Sequence, residues 1–126
     1  MYEHAKSAFP GAQNDSLRRV LVVDDSRAQR RILTLMLKRW GFEVQEAQDA
    51  SEGLLVCESF VPDLVISDWM MPGMTGIEFC RAFRAMQRES YGYFILLTSK
   101  TEKTAVTSGL ESGADDFLTK PVNGDE

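Results

Sequence analysis

Acidic side chains in this sequence stand at the ends of short apolar runs, where buried strands are expected to end. Asp24 and Asp25 follow the run 20–23, and Asp68 closes the run 62–68. Carboxylate oxygens are the preferred ligands of hard divalent cations, and a carboxylate can also act as a nucleophile. The alternative for Asp68 is that it only caps the turn that follows it. If the strands bring these residues together, they predict metal binding combined with carboxylate chemistry.

Two further polar residues also come directly after apolar runs. Thr98 follows the apolar run 93–97, and Lys120 follows the run 116–119. A carboxylate nucleophile, a divalent cation, a lysine and a hydroxyl together suit phosphoryl transfer that leaves an aspartyl phosphate at Asp68. Mg²⁺ and Ca²⁺ are the candidates for the cation, and Mn²⁺ could occupy the same oxygen ligands.

Strand-like apolar runs and helix-like periodicities alternate along the chain. Strands are predicted at 20–23, 42–47, 62–68, 93–97 and 116–119, and helices at 26–41, 50–60, 75–89 and 101–111. This alternation predicts the α/β class, as a flavodoxin-like doubly wound parallel sheet of five strands in the order 2-1-3-4-5. In that order strands 1, 3, 4 and 5 are neighbours about 4.8 Å apart. The five polar residues should therefore meet at one edge of the sheet.

The composition of the 126 residues limits the classes of function. Apolar and charged residues make up 44% and 26% of the chain, as expected for a single globular domain. The net charge of −5 argues against nucleic-acid binding by this domain, and no apolar run approaches the roughly 20 residues of a membrane span. His4 is the only histidine and lies in a segment without periodicity, so neither a histidine-ligated metal nor a Ser-His triad is expected. Cys57 and Cys80 fall on apolar helix stripes, which predicts two buried thiols in a reducing, cytoplasmic setting.

The ends of the chain suggest a boundary on each side of the domain. Residues 1–17 show no periodicity, so we expect a flexible N-terminal tail before a domain at 18–126. The sequence stops six residues after Lys120, where a fifth helix should begin to cover one face of the sheet. We therefore expect a domain truncated before its last helix, forming the N-terminal part of a longer protein. A homodimer, or covering by the tail, would then shield the exposed apolar face.

Four segments of the sequence resemble one known family. They are VLVVDDS at 20–26, DLVISDWMMPGMTGIEF at 63–79, LLTS at 96–99 and GADDFLTKP at 113–121. In register, these segments resemble the CheY-like response-regulator receiver domain of two-component signal transduction. The strand order 2-1-3-4-5 is that of CheY itself. The resemblance implies a phosphoprotein that takes part in phosphorelay signalling.

The resemblance also assigns the acceptor and metal positions. Asp68 resembles the phospho-acceptor, and Asp25 resembles the direct carboxylate ligand of Mg²⁺. Asp24 resembles the acid that acts on the metal largely through water. The backbone carbonyl of Met70, two residues after the acceptor, would complete the protein's share of the metal site.

The same resemblance implies a conformational switch. Thr98 resembles the switch hydroxyl, Lys120 the phosphate-pairing lysine, and Phe117 the switch aromatic residue. Because Phe117 has no phenol hydroxyl, its switching would depend on rotation and packing, and plain core packing is the alternative. We expect Thr98 to move toward the phosphoryl group and the weak helix 101–111 to shift with it.

The function that follows from the resemblance is that of a signalling switch. A sensor histidine kinase or phosphotransfer protein would donate the phosphoryl group to Asp68 in a Mg²⁺-dependent reaction. The domain would then control an output domain or downstream protein, without acting as an enzyme on outside substrates. A diguanylate cyclase or phosphatase output occurs in the family, but no residue here supports either.

Three other classes of protein fit these residues less well. An aspartate-nucleophile phosphatase needs a second acid two residues after Asp68, where Met70 stands. A degenerate receiver that only binds proteins has no support, because all five site residues are present. A flavodoxin-like FMN binder would need a phosphate-cradling loop, and the segment DDSRAQR offers two acids instead.

Overall fold

The computed structural model describes residues 18–86, 88–98 and 113–120. In chain order the elements are β1 (Arg19–Val23), α1 (Arg27–Arg39), β2 (Glu43–Ala47), α2 (Ala50–Phe60), β3 (Leu64–Asp68), α3 (Gly76–Ala85), β4 (Tyr93–Thr98) and β5 (Asp116–Thr119). The predicted tail, the predicted helix at 101–111 and the end of the chain lie outside the described residues. Within the described residues, no helix is both long and apolar enough to cross a bilayer.

The five strands form one sheet in the order β2-β1-β3-β4-β5, and every neighbouring pair is parallel. This confirms the predicted class and strand order. The register pairs Val23 with Ser67, Asp68 with Leu97, and Thr98 with Thr119. The carboxyl ends of four strands are therefore level, which places the predicted site residues along one edge.

Both faces of the central strands are buried, which is why their sequences read as continuous apolar runs. One core lies between the sheet and helices α2 and α3 and is built around Leu21, Val65, Phe79, Phe83, Phe94 and Leu96. The other contains residues of α1 and is built around Val20, Val22, Leu33, Leu37, Ile66, Ile95 and Leu97. Alternate residues of each strand enter opposite cores, as the period of two along a strand requires. Cys57 and Cys80 are both buried, as predicted, and no disulfide joins the described residues.

Polar side chains begin each of the three described helices. Ser26 accepts a hydrogen bond from the Gln29 N–H at the start of α1, and Asp49 has the equivalent role in α2. Thr75 and Glu78 form a reciprocal capping box at the start of α3. Such caps satisfy backbone donors that have no partner within the helix, so the sequence itself sets where each helix leaves the sheet edge.

The predicted end of one helix is wrong in detail. Helix α3 ends at Ala85 rather than near Glu89, because Met86 adopts an extended backbone and donates its N–H to the Phe83 carbonyl. Ile32 and Leu35 are apolar residues that lie on the solvent side of α1, with 38% and 53% of their surface exposed. The core beneath α1 is already filled by Leu33 and Met36, one position further along the helix.

A single arginine connects α3 to the segments that precede β4 and β5. Arg84 forms an ion pair with Asp115 at 2.6 Å and donates hydrogen bonds to the Gly113 and Gly92 carbonyls. Its guanidinium also stacks on the Tyr91 ring, 4.5 Å from the centroid. These contacts hold the start of β5, and β5 in turn leads directly to Lys120.

Candidate functional site

Lys120 and Asp68 form the centre of the site at the carboxyl edge of the sheet. Lys120 Nζ lies 2.8 Å from Asp68 Oδ1 and 3.8 Å from Asp24 Oδ2. The lysine main chain is held as well, because its N–H donates to the Thr98 carbonyl at 2.7 Å. Asp24, Asp68, Thr98 and Lys120 therefore lie close together, although they stand at the ends of four different strands.

Three carboxylates lie together beside this lysine. Ligand atoms of Asp24, Asp25 and Asp68 are all within 4.8 Å of one another. Asp24 and Asp68 are buried, whereas Asp25 is exposed. The cluster is therefore open on the side of Asp25, from which an ion or a phosphoryl donor can approach.

Asp24 carries the main electrostatic cost of the cluster. Its side chain is fully buried, and Oδ1 accepts a hydrogen bond from the Ser26 N–H at 2.8 Å. Oδ2 accepts no hydrogen bond from the residues that the structure describes. Burial raises the pKa of Asp24, and the nearby Asp68 and Asp25 charges add to the rise, while the Ser26 N–H and Lys120 oppose it. A buried carboxylate oxygen without a hydrogen-bond donor is a position where a cation would relieve strain.

The donor set fits a hard divalent cation. Oxygen ligands from two or three carboxylates, with space left for water, match the preferences of Mg²⁺, Mn²⁺ and Ca²⁺. Asp24, Asp25 and Asp68 would hold such an ion. Met70 follows β3 and exposes 69% of its surface, and a role for its backbone carbonyl in the metal site stays a prediction.

The predicted switch residues Thr98 and Phe117 lie on β4 and β5, to one side of Asp68 in the sheet. Thr98 is buried at the end of β4. Phe117 pairs with Leu96 in the sheet and packs, partly buried, against the core under α2 and α3. Because Leu96 and Thr98 are two residues apart on one strand, Thr98 and Phe117 belong to the same face of the sheet. A movement of Thr98 could therefore be sensed by Phe117.

Two residues that matter for the site were not recognised from the sequence. The side chain of Arg30 on α1 is only 14% exposed and donates a hydrogen bond to the Asp24 carbonyl. Gly76 begins α3 so close to β3 that its N–H donates to the Trp69 carbonyl at 2.7 Å. The position of Arg30 six residues after Asp24, in the first turn of the helix, was the only available signal.

The chain belongs to the response regulator receiver domain family, whose model matches residues 20–126. It is therefore a receiver domain of two-component signalling, a class of protein that works through phosphorylation. The match confirms the resemblance seen in the four sequence segments.

Individual relatives agree with this assignment. The chain is 44% identical over 108 residues to the DNA-binding response regulator MtrA of Mycolicibacterium smegmatis, covering 85% of this chain and 46% of MtrA. It is 41% identical over 105 residues to the transcriptional regulatory protein AfsQ1 of Streptomyces coelicolor, covering 83% and 45% of the two chains. The chain thus spans less than half the length of these curated relatives.

Solved structures show the same fold. The chemotaxis protein CheY4 of Vibrio cholerae superposes with a TM-score of 0.81 at 35% identity, covering 86% of this chain and 91% of CheY4. The signal receiver domain of a histidine kinase from Syntrophus aciditrophicus gives a TM-score of 0.75 at 34% identity, covering 84% and 80%.

Replacing Asp24 by Asn should stabilise the metal-free protein by about 1 kcal/mol, because it removes a buried charge from a cluster of like charges. Partial loss of the attraction to Lys120 limits the gain. The raised pKa means that native Asp24 holds its proton to a higher pH than the unfolded chain does. The contribution of Asp24 to the stability of the wild-type protein should therefore fall as pH rises above about 4, and the variant should lack this contribution.

Urea unfolding of both proteins in EDTA, at about pH 5 and about pH 7, measures this difference. The gain should be larger at the higher pH, and Mg²⁺ should bind the variant more weakly than the wild type. A variant that is less stable than the wild type at both pH values would show that the Asp24 charge is not a cost to the fold.

Proposed function

We propose that this domain accepts a phosphoryl group on Asp68 from a histidine kinase or phosphotransfer protein, in a reaction that requires a divalent cation. The observation that carries the proposal is the convergence on Asp68 of Lys120, at 2.8 Å, and of two further carboxylates within 4.8 Å. A cation held by the acidic ligands on one side and a lysine on the other would suit a group that bears negative charge on several oxygens.

The transfer itself needs little from the protein besides position and charge. A carboxylate oxygen of Asp68 attacks the phosphorus of the donor's phosphohistidine, so that a P–O bond forms while the P–N bond breaks. The electron pair of the broken bond stays on the donor's imidazole nitrogen, which takes up a proton. Lys120 loses its ion pair with the Asp68 carboxylate and pairs with the phosphoryl oxygens instead. A bound divalent cation would offset charge on those oxygens.

The buried position of Asp68 explains how the acceptor is kept in place. Asp68 is 6% exposed, and its backbone carbonyl accepts a hydrogen bond from Ser67 Oγ. The next residue, Trp69, donates its N–H to the Leu97 carbonyl at 2.9 Å. The end of β3 is thus held on the sheet, and the carboxylate is presented in a fixed direction, which favours in-line attack.

A signal can leave the site through Thr98 and Phe117. The Thr98 hydroxyl would hydrogen-bond a phosphoryl oxygen on Asp68, and the space that it vacates could be entered by Phe117. Because Phe117 is only partly buried and lies on the last described strand, its rotation would change the surface around β5. That surface would pass the signal to an output domain or a downstream protein.

The nature of the output is suggested by the relatives. MtrA is described as a DNA-binding response regulator and AfsQ1 as a transcriptional regulatory protein. A DNA-binding output is therefore better supported than the cyclase or phosphatase considered from the sequence. The net charge of −5 argues that any DNA contact is made outside this domain, and we propose that the protein works in the cytoplasm.

Incubation with acetyl phosphate or phosphoramidate tests the proposal. The intact mass should rise by one phosphoryl group when Mg²⁺ is present, because the cation is needed to balance charge at the site. EDTA should prevent the increase. The same chain unfolded in urea is the control, since it keeps every aspartate but loses the site. Equal labelling with Mg²⁺ and with EDTA would exclude a cation-dependent acceptor.

A further inference from the structure

We infer that Arg30 is a positioning residue that orients the Asp24–Asp25 peptide for cation binding. Arg30 Nη1 donates to the Asp24 carbonyl at 2.7 Å, and Arg30 Nε donates to Glu46 Oε1 at 3.2 Å. The inference rests on the proposed function, because it concerns the same cation site. It adds a residue that touches neither the phosphoryl group nor the ion.

The hydrogen bond from Arg30 acts on the peptide that joins the two acids. The Asp24 carbonyl belongs to the peptide group whose other end is the Asp25 nitrogen, so its direction fixes where the Asp25 backbone begins. Asp25 is exposed and has little packing of its own. Without this hydrogen bond, the peptide could rotate and carry the Asp25 carboxylate away from the cluster.

Two other hydrogen bonds hold the backbone nitrogen and the side chain of Asp24. Its N–H donates to the Ala47 carbonyl of β2 at 3.2 Å, and its Oδ1 accepts from the Ser26 N–H. These two hydrogen bonds hold the nitrogen and the side chain but do not involve the carbonyl oxygen. Arg30 supplies the third contact, which completes the restraint before any ion arrives.

Glu46 keeps Arg30 turned toward the sheet edge. Its two carboxylate oxygens accept from Arg30 and Arg31. Burial acts to raise the pKa of Glu46, but the hydrogen bonds from Arg30 and Arg31 and the positive charge of Arg31 oppose it, and this pKa is held below its usual value. The carboxylate is therefore charged at neutral pH. A charged Glu46 on β2 thus ties the first turn of α1 to the sheet.

A positioning role and a purely electrostatic role for Arg30 predict opposite changes in Mg²⁺ affinity when Arg30 is replaced. A guanidinium beside a cation site repels the cation, so removing it for electrostatic reasons alone should strengthen Mg²⁺ binding. Removing a group that orients ligands should weaken Mg²⁺ binding instead. The sign of the change in affinity therefore decides between the two roles.

Arg31 provides a matched control. It carries the same charge and contacts the same Glu46 carboxylate, 3.1 Å away, but its side chain is 52% exposed. No described hydrogen bond or ion pair joins it to Asp24. Replacing Arg31 by Met therefore removes one unit of charge and one partner of Glu46 without releasing the peptide.

Isothermal titration calorimetry with Mg²⁺ alone on the full chain is the experiment. Arg30→Met should bind Mg²⁺ about 10-fold more weakly than the wild type, as outer-shell substitutions of metal sites do. Arg31→Met should stay within about twofold, because exposed charges are screened. Arg30→Lys keeps the charge but presents its donors on one atom, so it cannot span both partners and should also bind more weakly. If Arg30→Met does not fold in EDTA, Arg30→Lys decides the result.

Each result of the titration bears on the inference. Weaker binding by both Arg30 variants, with Arg31→Met unchanged, supports it. Binding by Arg30→Met that equals or exceeds that of the wild type overturns it and assigns Arg30 a role through charge alone. Equal weakening by Arg30→Met and Arg31→Met also overturns it. No Mg²⁺ binding by the wild type overturns the proposed cation site itself, and the inference with it.

Discussion

Asp68→Asn should take up no phosphoryl group from acetyl phosphate under conditions that label the wild type. The amide has almost the same shape as the carboxylate, but its oxygen is a far weaker nucleophile and the side chain carries no charge. The change also removes the 2.8 Å ion pair with Lys120 and one oxygen ligand of the acidic cluster. Intact mass measured over time reports the loss of labelling.

Two comparison variants separate the roles of the acids. Asp25→Ala keeps the nucleophile but removes a cation ligand, so we expect slow labelling that higher Mg²⁺ partly restores. Glu43→Gln changes a carboxylate whose side chain is 63% exposed and should label at the wild-type rate. Full labelling of Asp68→Asn at the wild-type rate would mean that another residue is the acceptor.

Gly76→Ala should destabilise the protein by about 2 kcal/mol or more, because a β-carbon at this position has no space. It would overlap the Asp68 carbonyl oxygen and lie 2.8 Å from Leu96 Cδ2 and 3.0 Å from the Trp69 Cα. Two of these atoms belong to the main chain and cannot turn away. Helix propensity predicts the opposite sign, since Ala in place of Gly usually stabilises a helix by about 1 kcal/mol.

The same substitution should slow phosphorylation, because the obstructed atom is the carbonyl of the acceptor residue. Urea unfolding measures the stability, and the initial rate of labelling measures the site. Gly73→Ala is the control, since it meets nothing within 4 Å but has a φ of +81°. We expect it to cost about 1 kcal/mol through backbone strain and to leave the labelling rate unchanged. A Gly76→Ala protein as stable as the wild type would show that α3 can move away from β3 at no cost.

The strand order and the edge that carries the site follow from the sequence alone. Short apolar runs separated by helical segments allow few arrangements, since parallel strands need crossover helices and these are nearly always right-handed. Once β1, β3, β4 and β5 are neighbours, the residues that follow them must lie at one edge. Asp24, Asp68 and Lys120 could therefore be placed in one site before any distance was known.

Only the tertiary structure decided how that edge is held together. The side chain of Arg30 is directed toward the sheet because it pairs with Glu46, which is 16 residues away along the chain. Glu46 lies beside α1 only because β2 is part of the sheet. The need for glycine at position 76 depends on the distance from α3 to the Asp68 carbonyl. Periodicity records which residues share a face of one element, but it contains no information about the spacing between elements. The residues that position the site therefore became visible only when the elements were packed.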